Sequence, residues 1–299
     1  LHSLRRRQRQ MCIRDRIYPV VLERAKGIEI WDTEGKKYLD FFSGFGVINY
    51  GHSHPKIVSA VKEQMEKIAH IGMIYYNVPA VELAKKLAEI APGDLKKTYY
   101  ANSGTEAVEG AVKLAKKYSV KVQGKTGAYV IAFDFAFHGR GALTLTLTHE
   151  RKYKRHMGHF ANYPGVVHLP SPYCFRFPGD EETCKSYTLE KVDEYVRYHL
   201  GPENVAAIIM EPVMGEGGII VPPDGWLKEL EKIAHENEVL LIMDEVQSGF
   251  GRTGKIFAHE WEDVRADIMT MGKALGAGLP LAGTMTTEEV DKVWEPSTQ

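Results

Sequence analysis

The chain has 299 residues, 44% of them hydrophobic and 26% charged, with a net charge of −1. That length buries a sizeable core and suits one large or two unequal domains, while the near-neutral balance excludes a nucleic-acid or membrane-surface role built on bulk charge. No apolar run reaches the roughly 18 residues of a membrane span, and Cys12, Cys174 and Cys184 are too few and too unevenly spaced for a disulfide framework or a zinc site, so ordinary thiols in a reducing cytoplasm are expected.

Residues 1–16 stand apart: Arg5, Arg6, Arg7, Arg9, Arg14 and Arg16 crowd a stretch with little apolar content. It has no amphipathic period and a single serine, Ser3, so it reads as an extraneous segment rather than a targeting signal. From Tyr18 onward the pattern is that of a folded enzyme. Gly27–Gly35 alternates and then turns, and Lys37–Phe42 alternates again, which predicts a hairpin. Pro55–His70 carries Ile57, Val58, Val61, Met65 and Ile68 on one helical face, and Val78–Ile90 repeats that pattern.

Beyond these helices the rhythm changes. Short apolar runs at Thr98–Ala101, Tyr129–Phe133, Val205–Met210, Val239–Met243 and Ile268–Met271 alternate with longer amphipathic segments. That alternation predicts an α/β domain with a mainly parallel sheet, whose ligands gather beyond the carboxyl ends of the strands. Ser103, His138, Glu211 and Asp244 all fall at or just past such ends. The segment Lys185–Tyr198 reads as a solvated helix, and His52 and His54 as parts of a turn rather than metal ligands, so no metal is expected.

Three segments carry chemistry. Asn102–Glu109 (NSGTEAVE) joins a capping pair, Ser103 and Glu106, to Gly104 and opens a helix, which is either an ordinary capped helix or a phosphate cradle. Leu240–Gly254 ends an apolar strand on an acidic pair. Asp244 there either caps the next turn or serves a metal, a sugar hydroxyl or a protonated ring nitrogen. Lys273 follows an apolar strand and enters a stretch with Gly276, Gly278 and Gly283. It is either a surface charge or a buried amine with a lowered pKa suited to Schiff-base chemistry.

A phosphate cradle, a carboxylate for a pyridinium nitrogen and a lysine amine are the three grips that pyridoxal 5′-phosphate (PLP) requires. With Gly51–Pro55 (GHSHP), Phe137–Arg140 (FHGR), Glu211–Gly218 (EPVMGEGG) and Asp244–Gly254 (DEVQSGFGRTG), the sequence resembles the class III aminotransferases of the ornithine, acetylornithine and 4-aminobutyrate type from Tyr18 to its last residue. The surroundings of Pro172–Arg176 resemble archaeal members.

The resemblance implies an α/β PLP-dependent transferase fold of type I, like aspartate aminotransferase. Residues 17–75 would be the N-terminal part of a smaller α+β domain and 76–299 an incomplete large PLP-binding domain with a mainly parallel mixed sheet, the C-terminal domain being missing. Lys273 would hold the cofactor as a Schiff base and shuttle the substrate's α-proton. Asp244 would pair with the pyridine nitrogen, Ser103, Gly104 and Thr105 would hold the phosphate, Phe137 and Val246 would cover the two ring faces, and Gln247 would reach the ring hydroxyl. His138 joins this cofactor set.

On the substrate side the resemblance implies Arg140 for a carboxylate, Phe45 as pocket lining and Glu216 as the partner of a gating arginine beyond this chain. Gly141 departs from the threonine of many relatives, which puts the local geometry around Arg140 in question. The implied reaction is ping-pong transfer of an amino group from an amino acid, including an ω-amine such as 4-aminobutyrate or ornithine, to a 2-oxo acid by a homodimer or larger assembly. An amino-acid racemase or aminomutase on the same scaffold is the alternative, and a non-catalytic binding protein a third class.

Overall fold

The computed structural model describes residues 18, 20–72 and 74–295, and the expectation for residues 1–16 lies outside them. The chain divides into two compact units, Leu1–Ile74 and Tyr75–Gln299. In the first unit β1 (Leu22–Lys26), β2 (Glu29–Asp32) and β3 (Lys37–Leu39) form an antiparallel sheet in that order. The predicted hairpin is β2–β3. Asp32 closes its turn by accepting the N–H groups of Glu34 and Lys36, each at 2.9 Å, on Oδ1 and the Tyr38 hydroxyl at 2.8 Å on Oδ2. Helix α1 (Pro55–Lys67) starts on a proline, whose missing N–H is no loss at that position, and stops three residues short of the expected His70. His52 pairs with Asp40 at 2.6 Å.

The second unit is built on a seven-stranded sheet in the order β4-β10-β9-β8-β7-β5-β6. Its strands are β4 (Leu95–Ala101), β5 (Tyr129–Phe133), β6 (Val166–Leu169), β7 (Val205–Met210), β8 (Leu240–Asp244), β9 (Ile268–Met271) and β10 (Ala282–Thr287). Among the described residues β10 alone runs against the others, being antiparallel to both β4 and β9, so six strands share one direction. Every residue of β7 and β8 is buried, because a parallel sheet is covered on both faces and needs continuous rather than alternating apolar character.

The alternation of side chains across the pleat then fills two cores. Ile131, Phe133, Ile208, Met210, Leu241 and Met243 face one side, where Trp226 and Leu230 of α6 (Trp226–Glu236) and Leu87 of α2 (Val78–Ile90) pack. Val130, Ala132, Ala207, Ile209 and Ile242 face the other, against Val108, Ala111, Val112 and Ala115 of α3 (Gly104–Lys121). The short helix α4 (Ala142–Leu147) and α5 (Glu181–Glu194) complete the helices that bear on the site. No helix among the described residues is long and apolar enough to cross a membrane.

Strands β6 and β10 were not expected. Strand β6 has only four residues, and β10 (AGTMTT) lacks an apolar run. Thr284 and Thr286 are buried because backbone carbonyls satisfy them: Thr284 Oγ1 donates to Ala107 O at 2.7 Å and Thr286 Oγ1 to Asp267 O at 2.9 Å. The helix expected at Lys185–Tyr198 begins earlier, at Glu181, and continues as a wider π turn over Tyr195–Leu200. It is not solvated all round, since Cys184, Thr188, Val192 and Val196 are buried.

The expectation of ordinary thiols is also corrected. Cys174 and Cys184 form a disulfide across ten residues, with Cα atoms 5.4 Å apart. The chain folds back between a short turn at Cys174–Arg176 and the start of α5, a proximity that spacing alone does not disclose. Such bonds persist in oxidising surroundings, so a reducing setting no longer follows from the cysteines. Thiol titration of the unfolded, unreduced chain is expected to find one reactive cysteine, Cys12, of the three, and all three after reduction. Opening the bond is expected to lower stability by roughly 2–3 kcal/mol, read from denaturant melts with and without reductant.

Candidate active site

Strands β4, β5, β7, β8 and β9 point the same way, so the residues that follow them collect at one end of the sheet. There a cavity of about 280 Å³ is lined by Ser103, Gly104 and Thr105 after β4, by Phe137, His138, Gly139 and Arg140 after β5, and by Glu211 after β7. Asp244, Val246 and Gln247 line it from the end of β8, and Lys273 from the end of β9. Every residue expected at the site is thus gathered there except Glu216 and Phe45. Phe45 belongs to the first unit, where it is exposed, has a φ of +63° and meets the Phe42 ring at 4.2 Å.

Asp244 terminates β8 and is buried. A carboxylate has about four acceptor positions. Oδ1 takes the Thr270 hydroxyl at 2.8 Å and the Val246 N–H at 3.1 Å, and His138 Nδ1 lies 2.7 Å from Oδ2, where it donates. One acceptor position is left for a group in the cavity. His138 is itself buried, its backbone N–H held by Thr148 Oγ1 at 2.9 Å, and its Nε2 has no partner among the described residues. This network answers the cost of ending an apolar strand on a charge.

Lys273 sits with its backbone at a φ of +44°, the left-handed region that side chains other than glycine avoid, and such strain concentrates at functional sites. Burial pushes the amine below its ordinary range against the opposing pull of Asp244, Glu211 and Glu216. A lysine of this kind has more of its unprotonated, nucleophilic form at neutral pH than a surface lysine has.

Helix α3 opens beside it. The Ser103 hydroxyl accepts the Glu106 N–H at 3.3 Å, while Glu106 Oε2 reaches back to the Asn102 N–H at 2.7 Å rather than to Ser103 itself. The first-turn N–H groups of Gly104 and Thr105 stay free of helical partners, as at any helix start, and suit an anion. A side chain at Gly104 would put its Cβ 2.9 Å from Val246 Cγ1, so the glycine lets the helix start close on the cavity wall. The residues therefore fit PLP: donors for a phosphate, an aromatic and an aliphatic wall, an open acceptor on a buried carboxylate and a half-buried amine.

Two further features were not legible beforehand. Glu211 is fully buried, with Oε1 accepting the Phe137 N–H at 2.8 Å and Oε2 the Gly215 N–H at 3.1 Å. It ties the loops after β5 and β7 together. Glu216, just outside the cavity lining, is held by Lys152 and Tyr153, which lie in a stretch without a motif. At Gly141 an added Cβ would lie 2.6 Å from Glu109 Oε1 and 2.9 Å from Thr105 Cγ2, so the glycine allows this loop to pack tightly on α3.

A family model described as "Aminotransferase class-III" matches residues 12–299. The acetylornithine aminotransferase of Methanocaldococcus jannaschii is 43% identical over 274 residues, covering 92% of this chain and 63% of that protein. Among solved structures, a thermostable (S)-enantioselective ω-transaminase from Thermomicrobium roseum superposes with a TM-score of 0.88 at 34% identity, covering 96% of this chain and 63% of that one. The ω-transaminase of Pseudomonas jessenii, solved in complex with PMP, gives a TM-score of 0.87 at 30% identity, with 96% and 63% covered. The chain thus spans less than two thirds of the length of these relatives.

Glu211 generates a pH dependence. Burial first, then the Asp244 charge, push its carboxyl from 4.5 up to about 7 against the opposing effects of His138 and of the backbone donors Phe137 and Gly215. The folded chain holds this proton more tightly than the unfolded chain, so the contribution to stability is complete below pH 4.5 and is lost as pH rises through about 7. Urea melts of the cofactor-free chain at pH 5 and 8 are expected to show a drop on the order of 2–3 kcal/mol that Glu211→Gln removes. An unchanged difference between the two pH values would contradict this assignment.

Proposed function

The chain belongs to the class-III aminotransferases, and from that membership we propose that its cavity binds PLP and serves transfer of an amino group from an amino acid or ω-amine to a 2-oxo acid. The observation that carries the reading is the convergence of Lys273 and Asp244, from the neighbouring parallel strands β9 and β8, on one cavity that α3 opens toward. The names of the relatives support both an amino-acid and an ω-amine donor, and the PMP complex of the P. jessenii enzyme supports the cofactor.

In this reading PLP, when bound, supplies the electron sink for the pair released as the substrate's α-proton leaves. The chain's residues do the rest. Lys273 Nζ takes that proton and returns it, its lowered pKa keeping the amine able to accept. Asp244, held by His138, Thr270 and the Val246 N–H, would present its carboxylate to the ring nitrogen. Ser103, Gly104 and Thr105 bind the phosphate, Phe137 and Val246 restrict the ring, and Gln247 orients its hydroxyl. Arg140 takes a substrate carboxylate as a bidentate pair. A homodimer with a shared site belongs to the same proposal, supported by the family.

The test is spectroscopic. With PLP the chain is expected to show a visible absorption band that Lys273→Ala abolishes, and an amine added without acceptor is expected to convert it to the pyridoxamine form. Asp244→Asn is expected to keep the band and slow that half-reaction by about 100-fold or more. Racemisation or amino-group migration without release of an oxo product would overturn transfer, and absence of any Lys273-dependent band would overturn the PLP assignment.

A further inference from the structure

Beside the cavity four side chains stand in a fixed order. Lys152 and Tyr153 are consecutive in the short helical turn Arg151–Tyr153. Lys152 Nζ donates to Glu216 Oε1 at 2.9 Å, and the Tyr153 hydroxyl donates to the same oxygen. The other face of the arrangement belongs to Arg140, whose guanidinium carbon lies 4.7 Å from the centre of the Tyr153 ring and 5.9 Å from that of Phe137, the two rings meeting edge to face at 5.6 Å. Among the described residues Arg140 forms no ion pair.

The arrangement separates two opposite charges that would otherwise meet. Glu216 is half-buried and feels the Arg140 charge; burial favours its neutral form, yet the hydrogen bonds from Tyr153 and Lys152 and the two cations hold its carboxyl below the ordinary range. Of the two cations that act on Glu216 among the described residues, Arg140 is the geometrically stronger partner because its fork matches a carboxylate in two parallel bonds. Lys152 takes that place instead. The approach to the Tyr153 ring meanwhile places the guanidinium without pairing it to a carboxylate among the described residues. The cluster of Arg140, Lys152 and Glu216 is left with one uncompensated positive charge, carried by Arg140.

We propose that Lys152 and Tyr153 are specificity-determining residues: they keep Glu216 off Arg140, so that Arg140 stays open and the cavity selects substrates that bring a carboxylate to it over uncharged ones. The substrate side of this inference rests on the transaminase reading. Removing Lys152 releases Glu216 to Arg140 and closes the anion site by an internal ion pair. Removing Glu216 as well leaves Arg140 without a competitor and reopens it.

The test uses the whole chain with glutarate, an inert dicarboxylate, and its uncharged counterpart glutaramide, both followed by titration calorimetry. Wild type is expected to prefer glutarate; Lys152→Met is expected to weaken glutarate about tenfold without changing glutaramide, and Lys152→Met with Glu216→Gln to recover wild-type affinity within roughly twofold. Recovery in the double variant separates this role from a merely structural one, which a second substitution would not mend. No preference for glutarate in wild type, no loss in Lys152→Met, or a loss that Glu216→Gln leaves in place would each overturn the proposal. The titration does not depend on the Lys273 band: a chain that has the band but no preference overturns this inference alone, and a chain that lacks the band overturns the transaminase reading while the titration still decides the anion site.

Discussion

The site depends on strand direction. Six strands of the large sheet run one way, and the central β5, β7, β8 and β9 are almost wholly apolar because both faces of the sheet are covered there. A polar residue inside β7 or β8 would be buried without water, so the chain places its carboxylates at the strand ends. Glu211 follows Met210, and Asp244 follows Met243. With the strands parallel, those ends coincide in space. Chemistry gathers in one place because it is excluded from the rest of the sheet, and the reversed β10, whose own polar groups are threonines bound to carbonyls, adds no charge there.

Placing charges at the rim of a core creates a second requirement, that each be held. Asp244 has His138 and Thr270, and Glu211 has two backbone N–H groups. The residue after Asp244 follows the same rule. Glu245 is buried and its Oε1 lies 2.7 Å from His259 Nδ1 and accepts the His259 N–H at 2.9 Å, while Ser248 donates to its other oxygen. Two acid–histidine pairs therefore lie next to each other at the end of β8. The second is not part of the cavity lining, yet it anchors the loop that carries Val246 and Gln247. Hydrogen-bonded burial of this kind gives a rigid frame, since a half-satisfied network in a low-dielectric interior is costly.

Rigidity at the rim allows Lys273 to sit in a strained conformation. A lysine at a φ of +44° persists only where its surroundings over-determine it. At Gly272 before it, an added Cβ would lie 3.3 Å from Val246 Cγ1 and 3.6 Å from Ala282 Cβ, so the chain entering Lys273 runs close to its neighbours. The amine thus owes its lowered pKa to burial and its direction to the backbone turn. The substrate side contrasts with this. Lys152, Tyr153, Glu216 and Arg140 are more exposed and held by ion pairs and ring contacts, an arrangement that a bound anion can enter.

Much of this was legible in the amino-acid order. The runs at Tyr129–Phe133, Val205–Met210 and Ile268–Met271 are strands with those bounds, because a buried parallel strand is a continuous apolar word. The helix start after Ser103 was readable from its cap, and the motifs at Gly51–Pro55, Asn102–Ala107, Phe137–Arg140, Glu211–Gly218, Asp244–Gly254 and Lys273 together carried the family resemblance. Strand β10 was not readable, since Ala-Gly-Thr carries no apolar period and its burial rests on carbonyl partners up to 177 residues away in sequence. The Cys174–Cys184 bond, the burial of one side of α5, the role of Glu211 and the grip of Lys152 on Glu216 share that character: each depends on two segments meeting, which local pattern does not encode. The sequence by itself determined the buried parallel strands β5, β7 and β9, the capped helix and the residue types that chemistry needs, because these follow from periodicity and local hydrogen bonding. Tertiary structure alone decided which charges are paired and which left open, because Coulomb and hydrogen-bond energies depend on distance in space and not along the chain.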